Sequence, residues 1–226
     1  MLAIVKDFSQ SGVSLQEVPE PEFSPYEVLI RVRAVGICGS DVRIYKEVKP
    51  GAKKIIIGHE LAGEVVDCGE KVHSYKKGDR VATTICIGCA ICRYCRKGYF
   101  NLCNKLEEIG ITIDGGMAEY IAVPHYLVHI IPDSIKIEDA TFIEPLAAAY
   151  QTFEMMPLTA GTGQIATTKI NQNVGSIAVN LKQENAAVFG LGKLGLLIIQ
   201  VAKQYGLNVI AVDRSEKKLN LAAKLG

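Results

Sequence analysis

Cys89, Cys92, Cys95 and Cys103 follow one another with two, two and seven residues between them. No other feature of the chain restricts its fold so tightly. Four thiolates supplied by one loop can close a tetrahedron around zinc, and Gly98 eases the return of the backbone to the fourth of them. A closed four-sulfur site is structural, because it leaves no position for a substrate. Cys86 also precedes Cys89 with two residues between them. A shifted set of Cys86, Cys89, Cys92 and Cys95 is therefore an alternative, although three short spacings in succession would cramp the ligands. An iron–sulfur cluster is the chemical competitor, and the spacings only loosely match ferredoxin runs. Disulfides are the third reading. Five of the seven cysteines lie within 18 residues, and bridges confined to one loop would not staple a chain this long, so the crowding favours metal in a reducing compartment.

The charge balance excludes other ways of using such a loop. Lys and Arg total 25 against 24 Asp and Glu, a net charge of +1, which gives no electrostatic footprint for nucleic acid or an anionic membrane. A zinc-ribbon nucleic-acid binder would need a basic stripe around the cysteines, where only Arg93, Arg96 and Lys97 are basic. Lys6 and Asp7 interrupt the apolar start, so no signal peptide is expected, and no apolar run reaches the length of a membrane span. The expected compartment is the cytoplasm.

Two textures divide the chain. Up to about residue 130, short β-type runs at 27–35, 62–66, 79–83 and 118–123 are broken by Gly, Pro and Asp, which predicts an all-β barrel or sandwich. A helical stretch is expected over 137–154, bridging the halves. From Asn185 onward the pattern is a buried strand (186–189), a glycine turn, an amphipathic helix (194–205), a second strand (209–212) and a further helix (216–225). That is the opening βαβα of a doubly wound sheet. Residues 158–184, rich in Thr, Asn, Gln and Gly with some alternation at 176–181, have no assigned job and read as a hairpin insertion or a mobile linker.

Two further groups of residues carry chemistry. Cys38, within the run from Gly36 to Asp41, is joined by His59 and Glu60 and, far downstream, by Glu144. A thiolate and an imidazole with two carboxylates can hold zinc while leaving a position open. Each piece is weak alone, since a lone buried Cys or His is usually core. Beside a four-cysteine loop they point jointly to metal. The other group is Gly190, Leu191, Gly192, Lys193, Leu194 and Gly195, between a predicted strand and helix, with Asp213 placed 21 residues beyond Gly192. There the glycines let the backbone approach a pyrophosphate at a helix N-terminus, and Asp213 can accept from the adenosine ribose. Its carboxylate would repel a 2′-phosphate, favouring NAD over NADP, while Arg214 beside it works the other way.

These signals in this order resemble the zinc-dependent medium-chain alcohol dehydrogenase family, and within it the sorbitol, threonine and glucose dehydrogenase-like branch. The resemblance covers nearly the whole chain apart from 158–184. Its motifs include Glu17 to Pro21, Gly36 to Asp41, Gly58 to Val65, Gly78 to Val81 and Gly115 to Tyr120. It implies an α/β protein with a GroES-like β-barrel catalytic domain at 1–150 and an incomplete Rossmann NAD-binding domain at 151–226. Cys38, His59 and Glu60 would then bind one catalytic zinc, with Glu144 as a direct or water-bridged fourth partner. Cys89, Cys92, Cys95 and Cys103 would bind one structural zinc. Ser40 would take the proton of a small alcohol or polyol substrate as hydride passes to NAD.

Two departures accompany the match. Arg43 stands where many relatives place a relay histidine, and arginine cannot shuttle a proton near neutral pH. The family's cofactor domain also needs several strands after Gly226, so the chain is expected to be C-terminally truncated, with a catalytically inert zinc-binding fragment as the alternative function. The resemblance implies a homo-oligomer for the full-length enzyme. His73, His125 and His129 lack metal spacing, Cys68 reads as filler at a strand end, and Tyr45 reads equally as pocket lining or packing.

Overall fold

A computed structural model describes residues 1–155, 159–160, 164–165 and 185–225 of the chain. The backbone divides into two compact units, Met1–Glu144 and Pro145–Gly226.

The first unit opens with strands β1 (Leu2–Lys6), β2 (Ser14–Glu17) and β3 (Glu27–Gly36), followed by helix α1 (Gly39–Lys46). Strands β4 (Ile55–Ile56), β5 (Glu60–Cys68), β6 (Arg80–Thr83) and β7 (Cys86–Ile87) come next. After the cysteine loop the chain adds β8 (Glu107–Glu108), β9 (Tyr120–Pro124) and β10 (Val128–Ile130). These make a five-stranded sheet in the order β10-β6-β5-β3-β9 and a three-stranded sheet in the order β2-β1-β4. The predicted β texture is present, but the ladder does not close into a barrel among the described residues. The two sheets meet instead at the Ala3–Ala118 bridge and at the Ile4 amide, which donates to the Met117 carbonyl at 2.8 Å.

Period-two alternation sends Val28 and Ile30 of β3, Leu61 and Val65 of β5, and Ile121 and Val123 of β9 into one core. Each such side chain contributes about 1.5–3 kcal/mol relative to being left exposed, which makes β3 and β5 rigid carriers for whatever stands at their ends.

The expected single helix over 137–154 is in fact two, α2 (Ile137–Ala140) and α3 (Ile143–Met155). Pro145 has no N–H to return to the Thr141 carbonyl, and its ring clashes with that group in a continuous helix. The break is closed by tight bonds instead: the Thr141 hydroxyl donates to the Glu138 carbonyl at 2.7 Å and the Phe142 amide to the Asp139 carbonyl at 3.1 Å.

In the second unit, β11 (Thr159–Ala160) pairs antiparallel with β12 (Gln164–Ile165). The alternating run at 176–181 lies outside the described residues. Then follow β13 (Asn185–Phe189), α4 (Lys193–Gln204), β14 (Asn208–Val212) and α5 (Glu216–Leu225). Strands β13 and β14 are parallel, Ala186 opposite Val209 and Val188 opposite Ala211. Those four residues face the α4 and α5 side chains Ile198, Ile199, Leu219 and Ala222, the expected start of a doubly wound sheet. No helix of the described residues is long and apolar enough to cross a membrane.

Candidate metal centres and cofactor turn

Between β7 and β8 the chain folds into a lobe with little apolar core of its own: Ile91, Tyr99 and Leu102 are exposed. The sulfurs of Cys89, Cys92, Cys95 and Cys103 nevertheless lie within 4.8 Å of one another. Backbone amides point at them. The Cys95 amide donates to Cys92 Sγ at 3.4 Å, and the amides of Cys89 and Lys105 donate to Cys103 Sγ at 3.3 Å. Amides of Ile91 and Cys92 hold the Cys89 thiol down to about 6, the Cys95 amide lowers Cys92, and burial pushes Cys95 up to about 12. The thiolate is the metal-binding form, so the lobe already presents charge that a cation would complete. Four converging sulfurs braced by N–H donors fit zinc. Cys86 stays apart, paired opposite Glu108 in β7, with its thiol raised by burial first and then by the charges of Glu108 and Glu144.

The second group forms where β3 ends and β5 begins. Gly36 and Glu60 are cross-strand partners, and a Cβ on Gly36 would collide with the Glu60 carboxylate. Glycine there makes room for the acid to fold over the strand end. Cys38 precedes α1 in extended conformation, and its amide donates to Asp41 Oδ2 at 2.7 Å. The ligand atoms of Cys38, His59 and Glu60 lie within 4.8 Å of one another, with His59 and Glu60 buried. His59 Nδ1 faces Asp41 Oδ1 at 3.7 Å, and both atoms are buried without a hydrogen-bond partner. His59 Nε2, on the other edge of the ring, stands 3.4 Å from Ser40 Oγ. A thiol, an imidazole and a carboxylate, with an orphaned Asp41–His59 pair that needs only a small closure to orient the ring, fit a zinc position with its outer support in place. Glu144, half-buried in the first turn of α3, is not among the atoms that gather there. Arg43 and Tyr45 are exposed on α1.

Gly36→Ala is expected to push the Glu60 carboxylate aside and lower zinc affinity at this group by about ten- to a hundredfold. Chelator competition on the purified chain reads the change, and the four-sulfur lobe should keep its metal.

In the second unit the glycine turn leads into α4 with Gly192, which has no side chain, at its N-cap, and a helix N-terminus of this kind favours an anion. A Cβ on Gly195 would strike the Gly190 carbonyl, so the helix can sit against the turn only with glycine at that position. Lys193 and Leu194 form the first turn of α4, and Arg214 follows Asp213 after β14. The Asp213 carboxylate accepts from the amides of Leu191 at 2.7 Å and Ser215 at 2.9 Å, with Lys218 Nζ 3.5 Å away. The amide bonds, Leu191 first, hold its pKa below the usual carboxylate range.

Residues 24–133 match the alcohol dehydrogenase GroES-like domain family. Over its full length the chain is 33% identical to L-threonine 3-dehydrogenase of Pseudoalteromonas translucida (strain TAC 125) across 231 residues, 61% of that protein. It is similar in structure to galactitol-1-phosphate dehydrogenase from Escherichia coli, with a TM-score of 0.81 and 33% identity over 100% of this chain and 59% of that one. Over its whole length the chain is thus similar to dehydrogenases that act on alcohols, and the GroES-like domain match is confined to 24–133. A dehydrogenase from Escherichia coli CFT073 complexed with NADH is also similar, with a TM-score of 0.83 and 31% identity over 100% of this chain and 60% of that one. The chain thus spans about three fifths of the length of the curated relatives it matches.

Two residues that shape these sites gave little signal in the sequence. Asp41 was visible only as the end of a motif, although an acid three positions after Cys38 is the spacing of a helix capping box. Lys218 gave no signal, because its proximity to Asp213 depends on how α5 returns after β14.

Proposed function

We propose that this chain carries the zinc sites and the nicotinamide-binding turn of an oxidoreductase that transfers hydride between NAD and an alcohol or polyol, threonine-like secondary alcohols included. The observation that carries the reading is the convergence of Cys38, His59 and Glu60 within 4.8 Å, with Ser40 Oγ beside His59 Nε2. Cys38, His59 and Glu60 would hold the catalytic zinc, with Glu144 entering only through water or movement, and Cys89, Cys92, Cys95 and Cys103 the structural one. Bound zinc supplies Lewis acidity that lowers the pKa of an alcohol. Asp41 holds the Cys38 amide and faces the imidazole, keeping both in place. Ser40 is positioned to take the substrate proton, and because Arg43 cannot relay it, water carries it onward. Gly190, Gly192 and Gly195, with the amides of Lys193 and Leu194, would receive the pyrophosphate, and Asp213 the ribose. The free thiols suit a cytoplasmic setting.

Zinc analysis of the dialysed chain, followed by reduction of NAD and NADP with L-threonine and a panel of polyols, tests this reading. Near two zinc ions per chain with NADH formed is the expected result. Two zinc ions with no turnover on any substrate would favour a catalytically inert metal-binding chain.

Asp213→Asn keeps an acceptor and removes the charge. Affinity for NADPH relative to NADH is expected to rise several-fold, since a unit charge about 4 Å away is worth roughly 1 kcal/mol in a watery setting. The acid side should change too. A depressed carboxyl stabilises the turn above its unfolded value of about 4, and that contribution is lost as pH falls through the lower folded value. Cofactor titrations and acid unfolding curves of both proteins check the pair of effects.

A further inference from the structure

Lys6, the last residue of β1, is wholly buried. Burial of an ammonium is costly unless its donors are used, and here all three are. Lys6 Nζ donates to the carbonyls of Gln10 at 2.7 Å, Tyr45 at 3.2 Å and Gly12 at 3.3 Å, and lies 5.4 Å from the centre of the Phe8 ring. Among the described residues no carboxylate pairs with it. A residue that only filled space in this pocket would not need a charge.

The acceptors show what the charge does. Tyr45 belongs to the last turn of α1, and its carbonyl also accepts from the Gly12 amide at 2.7 Å and the Ser11 hydroxyl at 3.3 Å. The Lys49 amide donates to the Phe8 carbonyl at 2.7 Å. Ile44, on α1, is buried against Phe8, Ile55 and Ile57. A cation at a helix C-terminus is favoured by the helix dipole, so Lys6 clamps the far end of α1 to the turn that follows β1. The near end of that eight-residue helix presents Cys38, Ser40 and Asp41. Eight residues span only about 12 Å, and a short rigid helix passes a tilt at one end directly to the other.

We propose that Lys6 is a positioning residue for the Cys38, His59 and Glu60 group: by fixing the C-terminal turn of α1 it sets where the Cys38 thiol, the Ser40 hydroxyl and the Asp41 carboxylate stand. The inference rests on the proposed function of that group as a zinc site. It differs from a general role in stability, because the four-sulfur lobe does not depend on α1.

The test is zinc binding by the full chain, measured by chelator competition for wild type, Lys6→Met and Lys6→Gln, with unfolding followed in parallel. Lys6→Met keeps the length and removes every donor. It is expected to weaken zinc at the Cys38 group by about tenfold, the size of effect seen when outer supports of metal ligands are lost, and to leave the four-sulfur zinc unchanged. Lys6→Gln, with a shorter neutral donor, should give a smaller loss in the same direction and decides the matter where the Met variant does not fold. A folded variant that melts earlier yet binds both zinc ions as wild type does overturns the proposal and leaves Lys6 a stabilising residue only. A wild-type chain that takes up zinc in the four-sulfur lobe alone would instead sink the proposed function, and the role of Lys6 with it.

Discussion

Cys92→Ser is expected to strip the cysteine lobe of metal and open it to protease, while the Cys38 group keeps its own ion. Apparent binding energies of structural zinc are about 10–16 kcal/mol, comparable with the whole net stability of a domain, about 5–15 kcal/mol. The lobe has nothing to replace them. Its large apolar side chains Ile91, Tyr99 and Leu102 are exposed, and Ala90 sits at φ +59°, a left-handed conformation that an alanine keeps only where its surroundings enforce it. Trypsin should therefore cut rapidly at Arg93, Arg96, Lys97 or Lys105 in the variant and slowly in wild type, with zinc per chain lower by one. Cys86→Ser serves as the control and should behave as wild type, because Cys86 is held in β7 away from the four sulfurs. Intact resistance to trypsin in Cys92→Ser would show that the lobe folds without its metal and that the structural assignment is wrong.

His59→Ala should remove the metal from the other site and with it nearly all turnover. Lewis-acid stabilisation is worth several kcal/mol, and each 1.36 kcal/mol is a factor of ten in rate, so NADH formation is expected to fall by about a thousandfold or more. The variant also leaves a cavity where the buried imidazole stood beside Asp41, which thermal unfolding should register as a loss of stability. Ser40→Ala separates the two roles: it should keep the zinc and lose about a hundredfold or more in rate, the range for a positioned proton acceptor. A His59→Ala chain that still carries two zinc ions and turns over substrate would remove this group from the chemistry.

Much of this was legible without coordinates, for reasons that differ from place to place. The four-sulfur set could be listed because its members lie on one short loop, where spacing limits which side chains can meet. The glycine turn could be placed because strand, turn and helix are local, and each carries its own hydrophobic period. The break at Thr141 was missed although its cause, Pro145, stood in the sequence, because the apolar pattern runs unbroken across it. Helix α1 was missed because eight residues carry too weak a period to outweigh the surrounding β texture.

What the sequence determined by itself was therefore chemical and local: which donors exist, which of them share a loop, and that a β half precedes a βαβα half. Only the tertiary structure decided which cysteine stands apart from the four, that Gly36 lies opposite Glu60, that Asp41 faces His59, that Glu144 does not gather with Cys38, His59 and Glu60, and that Lys6 reaches the end of α1. Those relations join residues far apart along the chain. They are set by strand register and by which side chains the cores of β3, β5 and β9 leave at the strand ends, and no spacing rule fixes a register before the sheet has packed.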